Sequence, residues 1–170
     1  MTLDPKDLLV ENVFTHGCVA CPQGRIQGVR FLHTGITGRA RTEACVLDFE
    51  RNSRYDNRLS VSYLKVMPRF QGNGIATHAL EWLRDNLPED IDYVAFTAIT
   101  SQGIGRLIER VFGPMHRLNF YAAEQDEPLL SMEHVPAESP QANLRYARGP
   151  SGYVRRDAIP MPNLGPSPGR

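Results

Sequence analysis

Strand and helix patterns alternate in the middle of this chain, and their order constrains the fold more than any other feature. Residues 59–66 alternate apolar and polar side chains and end just before Pro68. Residues 75–87 place apolar side chains along one helical face, 93–99 form a mostly apolar run, and 101–112 repeat the helical spacing. A buried strand that follows a helix in this way suits a parallel neighbour, so the pattern predicts an α/β domain. Leu59, Val61 and Tyr63 are expected to share one face of the first of these strands.

Further strand patterns lie on both sides of this region. Residues 29–33 and 42–49 predict the two strands of a hairpin, because the second alternates clearly and a glycine-containing turn separates them. Residues 8–14 are apolar but short, and fit either a strand or a helix. Residues 118–122 and 129–132 predict two closing strands.

Composition divides the chain into two unlike parts. Its 170 residues suit one domain, and the 19 basic and 19 acidic residues balance. Residues 136–170 hold more than half of the 13 prolines, show no helical period and have a net charge of +3. We therefore expect a domain over residues 1–135 and a Pro/Gly/Arg-rich C-terminal tail over 136–170. Zero net charge argues against a strong general attraction to nucleic acid.

Nothing in the sequence predicts export or membrane insertion. No apolar run approaches the roughly 18 residues that a spanning helix needs. Residues 1–10 carry three charged side chains and lack the apolar stretch of a secretory signal. We expect an intracellular protein that does not enter a membrane, located in the cytoplasm or within a large intracellular or viral assembly.

A cysteine pair raises the question of metal binding. His16, Cys18, Cys21 and His33 could together supply the four ligands of a tetrahedral zinc site. Pro22, directly after the pair, equally predicts a turn that carries ordinary buried thiols. The pair lacks a second ligand pair at a familiar spacing, so no metal is expected.

The residues that predict chemistry lie between the strand at 59–66 and the helix at 75–87. They run Val66-Met67-Pro68-Arg69-Phe70-Gln71-Gly72-Asn73-Gly74-Ile75-Ala76. Glycines leave the backbone open to a ligand, and the unpaired N–H groups of a helix start favour an anion such as a pyrophosphate. Arg69 is close enough in sequence to assist. A plain turn with capping glycines is the alternative, since neither the P-loop pattern nor the three-glycine dinucleotide pattern is complete.

These residues resemble a known family. Gln71-Gly72-Asn73-Gly74-Ile75-Ala76 fits the Q/R-x-x-G-x-G/A motif of the GCN5-related N-acetyltransferases, and Val66-Met67-Pro68 is similar to the end of their fourth strand. The resemblance implies an acetyltransferase-like α/β (α+β) fold, with a mixed, mostly antiparallel sheet of about six or seven strands and flanking helices. It also implies that the fourth and fifth strands splay apart to admit acetyl-CoA.

The resemblance implies an activity as well. An amine of a protein or a small molecule would attack the thioester of acetyl-CoA directly, with an N–H near the end of the fourth strand polarising the carbonyl group. Backbone around Val66 and Met67 would pair with the pantetheine arm, and the turn that follows would hold the pyrophosphate. The residues implied in cofactor binding are Val66, Met67, Arg69, Gln71, Gly72, Asn73, Gly74, Ile75 and Ala76.

The chain departs from the family where catalysis is concerned. Residues 59–66 contain no carboxylate to act as the base. Ile108 occupies the position at which many family members carry the tyrosine that acts as the acid. Residues 8–28 are too short for the two helices that usually form the acceptor wall. The side chains that could substitute are Glu43, Asp48 or Glu50 as a base acting through water, and Tyr63 or Tyr121 as an acid. The catalytic residues are therefore left unassigned.

These departures support a second hypothesis. The chain could be a catalytically degenerate acetyltransferase-like scaffold that serves as a structural or interaction subunit of a large assembly, for example a virion. Residues 136–170 would then dock on a protein partner. An enzyme would bind acetyl-CoA and release free CoA thiol from it. The absence of stabilisation by CoA would count against the enzyme, because a bound ligand stabilises the fold.

Overall fold

The computed structural model describes residues 3–15, 26–51, 57–97, 99, 101–118, 128–135 and 150–160. Seven strands form one sheet in the order β1-β2-β3-β4-β5-β7-β6, with every neighbouring pair antiparallel except β4 and β5. The elements are β1 (Leu9–Thr15), β2 (Ile26–Thr34), β3 (Arg41–Arg51), β4 (Arg58–Val66), α1 (Ile75–Asp85), β5 (Tyr93–Phe96), α2 (Gln102–Phe112), β6 (His116–Arg117) and β7 (Gly152–Arg155). The predicted fold class, an α/β domain with a mixed and mostly antiparallel sheet, is confirmed.

The first three strands are antiparallel neighbours, and the hairpin of β2 and β3 confirms the predicted pair. Its connecting turn is closed by two backbone hydrogen bonds: the N–H of Gly35 donates to the oxygen of Ala40 at 3.0 Å, and that of Gly38 to the oxygen of Gly35 at 2.7 Å. The ambiguous segment at 8–14 lies largely in a strand, β1. Ten residues, 16–25, separate β1 from β2, and they lie outside the described part of the chain.

Both helices pack on the same side of the sheet. The buried side chains of α1 and α2 join a single core with the inward side chains of β2, β3, β4, β5 and β7. The two helices contact each other as well. The side chains that the helices bury are Ile75, Ala79, Leu80 and Leu83 from α1, and Ile108, Val111 and Phe112 from α2. The helical periods seen in the sequence are therefore core-facing stripes, as expected for amphipathic helices.

A bulge in β4 changes which of its side chains face this core. Asp48 pairs with Tyr63 and Phe49 pairs with Val61, so Ser62 is an extra residue in β4. Beyond the bulge, Leu64 rather than Tyr63 packs against the core. The prediction that Tyr63 shares a face with Leu59 and Val61 is wrong, because an extra residue shifts the strand's alternation by one position.

The last strand of the sheet comes from residues that were predicted to form a tail. Strand β7 lies between β5 and β6, and its Tyr153 and Val154 are each only 1% exposed. Residues 150–160 therefore belong to the folded domain, and the boundary predicted at residue 135 is wrong for them. Residues 136–149 and 161–170 lie outside the described part of the chain.

The two predicted closing strands need correction as well. Residues 129–132 are not a strand: Leu129 forms one isolated bridge with His116, and a short 3-10 helix begins at Met132. Of the other predicted strand only Leu118 lies within the described residues. The strands that occupy this side of the sheet are β6 and β7.

Arg156 ties the end of β7 to the connection between α1 and β5. Its guanidinium donates to the backbone oxygen of Ile91 at 3.0 Å and of Leu87 at 3.4 Å, and also to that of Pro88. Its own N–H donates to the oxygen of Asp92 at 2.7 Å. Within the described ranges, no helix is both long and apolar enough to cross a lipid bilayer.

Candidate functional site

Strands β4 and β5 separate part-way along the sheet. They pair from Arg58 and Tyr93 as far as Val61 and Phe96. Thr97 then closes the ladder, because its N–H and its hydroxyl both donate to the oxygen of Val61, at 3.1 and 3.2 Å. The bulge at Ser62 follows at once, and a bulge bends a strand and increases its twist. The rest of β4, residues 62–66, therefore continues without a β5 partner among the described residues.

A cavity of about 400 Å³ lies where the two strands have separated, and we call it the first cavity. Leu64 and Val66 of β4 form one wall, the start of α1 forms another, and Ile104 of α2 faces them. Six of the nine residues implied in cofactor binding line this cavity. They are Val66, Gln71, Gly72, Gly74, Ile75 and Ala76. The volume is within the range of small-molecule sites.

The turn between β4 and α1 presents its backbone openly. Gly72 and Gly74 have φ angles of 82° and 74°, in the left-handed region that glycine adopts without strain. A Cβ at either position would have nothing within 4 Å. Gly74 is the N-cap of α1 and provides no side-chain cap. The N–H groups of the first helical turn therefore remain available to an anion, which the helix dipole also favours.

Two amide side chains hold this turn in shape. Gln71 Nε2 donates to the backbone oxygen of Val66 at 3.3 Å, which links the turn to the end of β4. Asn73 Nδ2 donates to the backbone oxygens of Phe70 and Gln71, at 3.0 and 3.3 Å. Because both amides are engaged with turn carbonyls, their structural role is to fix the backbone whose N–H groups face the first cavity.

The remaining implied residues lie elsewhere. The N–H of Met67 donates to the oxygen of Ala44 on β3 at 2.8 Å, so it is committed to the sheet. Arg69 and Asn73 line a second cavity, of about 720 Å³, on the other side of the turn. Phe70 lines both cavities. Arg69 is thus placed away from the residues that would hold a pyrophosphate.

The carboxylates considered as bases lie on β3. Glu43 forms an ion pair with Arg30, with Oε2 at 3.0 Å from Nε. Burial raises the pKa of Asp48, and the negative charge of Glu43 acts in the same direction against the attraction of Arg30. However, Oδ1 of Asp48 lies 2.6 Å from the position that a Cβ on Gly28 would occupy, so this carboxylate leans over β2, away from the first cavity. Glu50 lies farther along β3, opposite Ser60.

The side chains considered as acids are not gathered at the first cavity. Ile108, at the family's tyrosine position, is 3% exposed and belongs to the core. Tyr63 pairs with Asp48 and lies on the face of β4 opposite to its core-facing side chains. Tyr121 lies outside the described residues. Among the described residues that line the first cavity, Lys65 is the one ionisable side chain.

The structure adds two residues to those found from the sequence. Ile104 closes the first cavity, although the helical pattern indicated only a core position for it. Thr97 marks the point of strand separation through its hydroxyl group. No local motif distinguishes either residue, because their roles depend on how β4 and β5 diverge in space.

Three of the four candidate zinc ligands, His16, Cys18 and Cys21, lie outside the described residues, so the predicted absence of a metal there stays a prediction. The ring of His33 packs 5.7 Å from that of Phe70. In the part of the chain that is described, no group of three or more His, Cys, Asp or Glu side chains could hold a metal ion. Cys45 is a free thiol whose burial raises its pKa to about 12.

Comparisons with known proteins give similarity at the level of structure. No protein-family model and no curated protein sequence matches the chain. GCN5 from Tetrahymena covers 76% of this chain and 68% of its own length, with 11% identity and a TM-score of 0.47. Diaminobutyrate acetyltransferase EctA from Paenibacillus lautus was solved with L-2,4-diaminobutyric acid and coenzyme A. Its similarity covers 79% of this chain and 73% of its own, with 15% identity and a TM-score of 0.49.

The ribosomal-protein-S18-alanine N-acetyltransferase from Escherichia coli is similar over 82% of this chain and 74% of its own, with 13% identity and a TM-score of 0.46. These are distant similarities. The assignment of a ligand or a reaction therefore depends on the chain's own geometry, above all on the first cavity.

Proposed function

We propose that the chain binds acetyl-CoA in the first cavity and transfers the acetyl group to an amine of a protein or a small molecule. One observation carries this proposal: two features border the same cavity. They are the edge of β4 over residues 62–66, which has no β5 partner among the described residues and is called its free edge below, and the start of α1, which no side chain caps. An extended chain that ends in a pyrophosphate needs both features side by side. The edge offers backbone pairing to the extended arm, and the helix start offers N–H groups to the phosphates.

The two ends of the ligand would be held by different elements. The backbone N–H groups of residues 72–76 would receive the pyrophosphate, with the positive end of the α1 dipole adding to the attraction. The free edge of residues 62–66 would pair with the amide groups of the pantetheine arm, which would place the thioester near the bulge at Ser62. Leu64, Val66 and Ile104 would exclude water from the arm.

The transfer step would need few side chains. The amine nitrogen attacks the thioester carbon, the new C–N bond forms and the C–S bond breaks. The nitrogen loses a proton, and the departing thiolate gains one. A backbone N–H at the free edge of β4 would stabilise the charge that develops on the carbonyl oxygen. Asp48 is the described carboxylate closest in register to the bulge, and a water molecule would have to link it to the amine.

The second candidate function is a scaffold that binds CoA, or a related nucleotide thioester, without turning it over. The observation that favours it is the lining of the first cavity. Among the described residues there, Lys65 is the one with an ionisable side chain, so neither a carboxylate base nor a tyrosine acid for catalysis is present in that lining. Such a protein would act as a structural or interaction subunit of a larger assembly. Its partner contacts would include residues 136–149 or 161–170.

Binding is tested by calorimetric titration of CoA against the wild-type chain and two variants at Ala76. Ala76 lines the first cavity at the second position of α1. A carboxylate there suits the helix dipole, so Ala76→Glu should fold, but it would repel the pyrophosphate and weaken CoA binding by about tenfold or more. Ala76→Gln has nearly the same size without the charge, and it should lose much less affinity.

Turnover is tested by thiol release from acetyl-CoA in the presence of a panel of primary amines. Release by the wild type that Ala76→Glu lowers by about tenfold at sub-saturating acetyl-CoA, and that Ala76→Gln lowers much less, would support the acetyltransferase. Binding of CoA without thiol release in the presence of any amine of the panel would favour the scaffold. A specific site would have a Kd far below ~10 mM. If CoA fails to bind at that concentration, both proposed functions are wrong.

A further inference from the structure

The second cavity is the larger of the two and plays no part in the proposed transfer. It lies between the short 3-10 helix Pro5–Asp7, the turn that follows β2, and the segment from Arg69 to Asn73. The turn between β4 and α1 separates it from the first cavity, and Phe70 contributes to both. At about 720 Å³ it could hold a small molecule of several carbon atoms.

Opposite charges line this cavity from different segments. Asp4 and Asp7 come from the N-terminal segment, and Arg69 comes from the segment after β4. None of the three forms an ion pair within the described part of the chain, where the ion pairs are those of Arg30, Arg51 and Arg84. One oxygen of Asp4 accepts the N–H of Lys6 at 3.0 Å, and its other oxygen remains free to bind a ligand. Side chains of both charges therefore border one space without an ion pair between them.

An aromatic pair contributes to the lining, beside the aliphatic side chains of Leu3 and Ile36. The rings of His33 and Phe70 pack 5.7 Å apart, and both residues border the cavity. The guanidinium carbon of Arg69 lies 4.9 Å from the centre of the Phe70 ring, which holds the cation against an apolar surface. Asn73 Nδ2 is occupied by turn carbonyls, so its Oδ1 remains as an acceptor.

We propose that the second cavity binds a small zwitterion of the amino-acid class, with its carboxylate on Arg69, its ammonium group toward Asp4 and Asp7, and its carbon chain against Phe70. A guanidinium matches a carboxylate in a planar, two-bonded geometry. A ligand with only a negative charge would meet two carboxylates, and one with only a positive charge would meet Arg69. A zwitterion satisfies both walls at once, which neither kind of singly charged ligand can do.

The test uses a series of ω-amino acids in NMR titrations of the full-length chain. Glycine, β-alanine, 4-aminobutyrate and 6-aminohexanoate differ only in the distance between their charges, and butylamine and butyrate each carry one charge. We expect one length to bind best, about tenfold or more tighter than either singly charged compound, as two charge-assisted contacts instead of one would give. Equal binding of butylamine and the best zwitterion would overturn the proposal, and so would no binding by any member.

Variants then assign the two ends of the ligand. Arg69→Gln should reduce the affinity of the best zwitterion to that of butylamine, and Asp7→Asn should weaken the zwitterion without weakening butyrate. Lys6→Gln is the matched control, because Lys6 is an exposed charge on the same short 3-10 helix and does not line the cavity. Ala76→Glu, which places a negative charge in the first cavity, should leave zwitterion binding unchanged. An equal loss in Lys6→Gln and Arg69→Gln would show a general charge effect and refute the site.

Discussion

Replacing Val154 with alanine tests whether β7 is part of the domain. Val154 is 1% exposed and lies in the strand between β5 and β6, where it belongs to the main core. The substitution removes two methyl groups, which at about 0.8 kcal/mol each for lost burial, plus a cavity that the sheet can close only in part, should cost about 2 to 3 kcal/mol of unfolding free energy. Arg155 is exposed on the same strand, so Arg155→Ala should change stability by about 0.5 kcal/mol or less.

Urea unfolding followed by tryptophan fluorescence measures this difference. Trp82 is the single tryptophan, and it packs edge-on at 6.2 Å from Phe31, on the opposite part of the sheet from β7. With a slope of about 2 kcal/mol per molar urea, Val154→Ala should lower the midpoint by about 1 M or slightly more. Equal midpoints for Val154→Ala and Arg155→Ala would mean that β7 adds nothing to the fold that Trp82 reports, and would contradict its place in the domain.

Three further predictions follow from shifted pKa values. In a Cys18→Ser/Cys21→Ser variant, a thiol reagent at pH 8 should label no cysteine in the native chain and one in urea, because burial raises the pKa of Cys45 to about 12; labelling of the native chain would contradict this. The same shift predicts that the stability contributed by Cys45 falls as pH rises from 9.0 toward about 12, since the folded state holds the proton more tightly. Asp48→Asn should raise the thermal midpoint at pH 7, because burial raises the pKa of Asp48, and this advantage should shrink as acid protonates the wild type. A midpoint difference that stays constant from pH 7 to pH 3 would argue against a buried charge.

The central elements of the fold could be predicted from the sequence because they carry long periodic patterns. The apolar stripes of α1 and α2 extend over three turns, and the alternation of β3 extends over most of its length, so local spacing was sufficient. The turn between β4 and α1 was also predictable, since Gly72 and Gly74 are needed there for their positive φ angles. Its position between a strand and a helix indicated the open N–H groups that line the first cavity.

Other features depend on contacts between distant parts of the chain. Strand β7 has four residues in a proline-rich region, too short for alternation to show, and it is held by pairing with β5 and β6. The bulge at Ser62 changes the inward face of β4 without any glycine or proline to signal it. Arg69 lies near the glycine turn in sequence but on its other side in space, because Pro68 begins a short 3-10 helix that turns the chain.

If the turn between β4 and α1 holds the phosphates of CoA, amide NMR of the chain titrated with CoA should locate the ligand there. We expect the amide signals of Gly72, Gly74, Ile75 and Ala76 to shift first and furthest, with those of residues 62–66 following. Signals around the second cavity, such as that of His33, should move little. Shifts concentrated at the second cavity, or no shifts at all with CoA in large excess, would contradict that location.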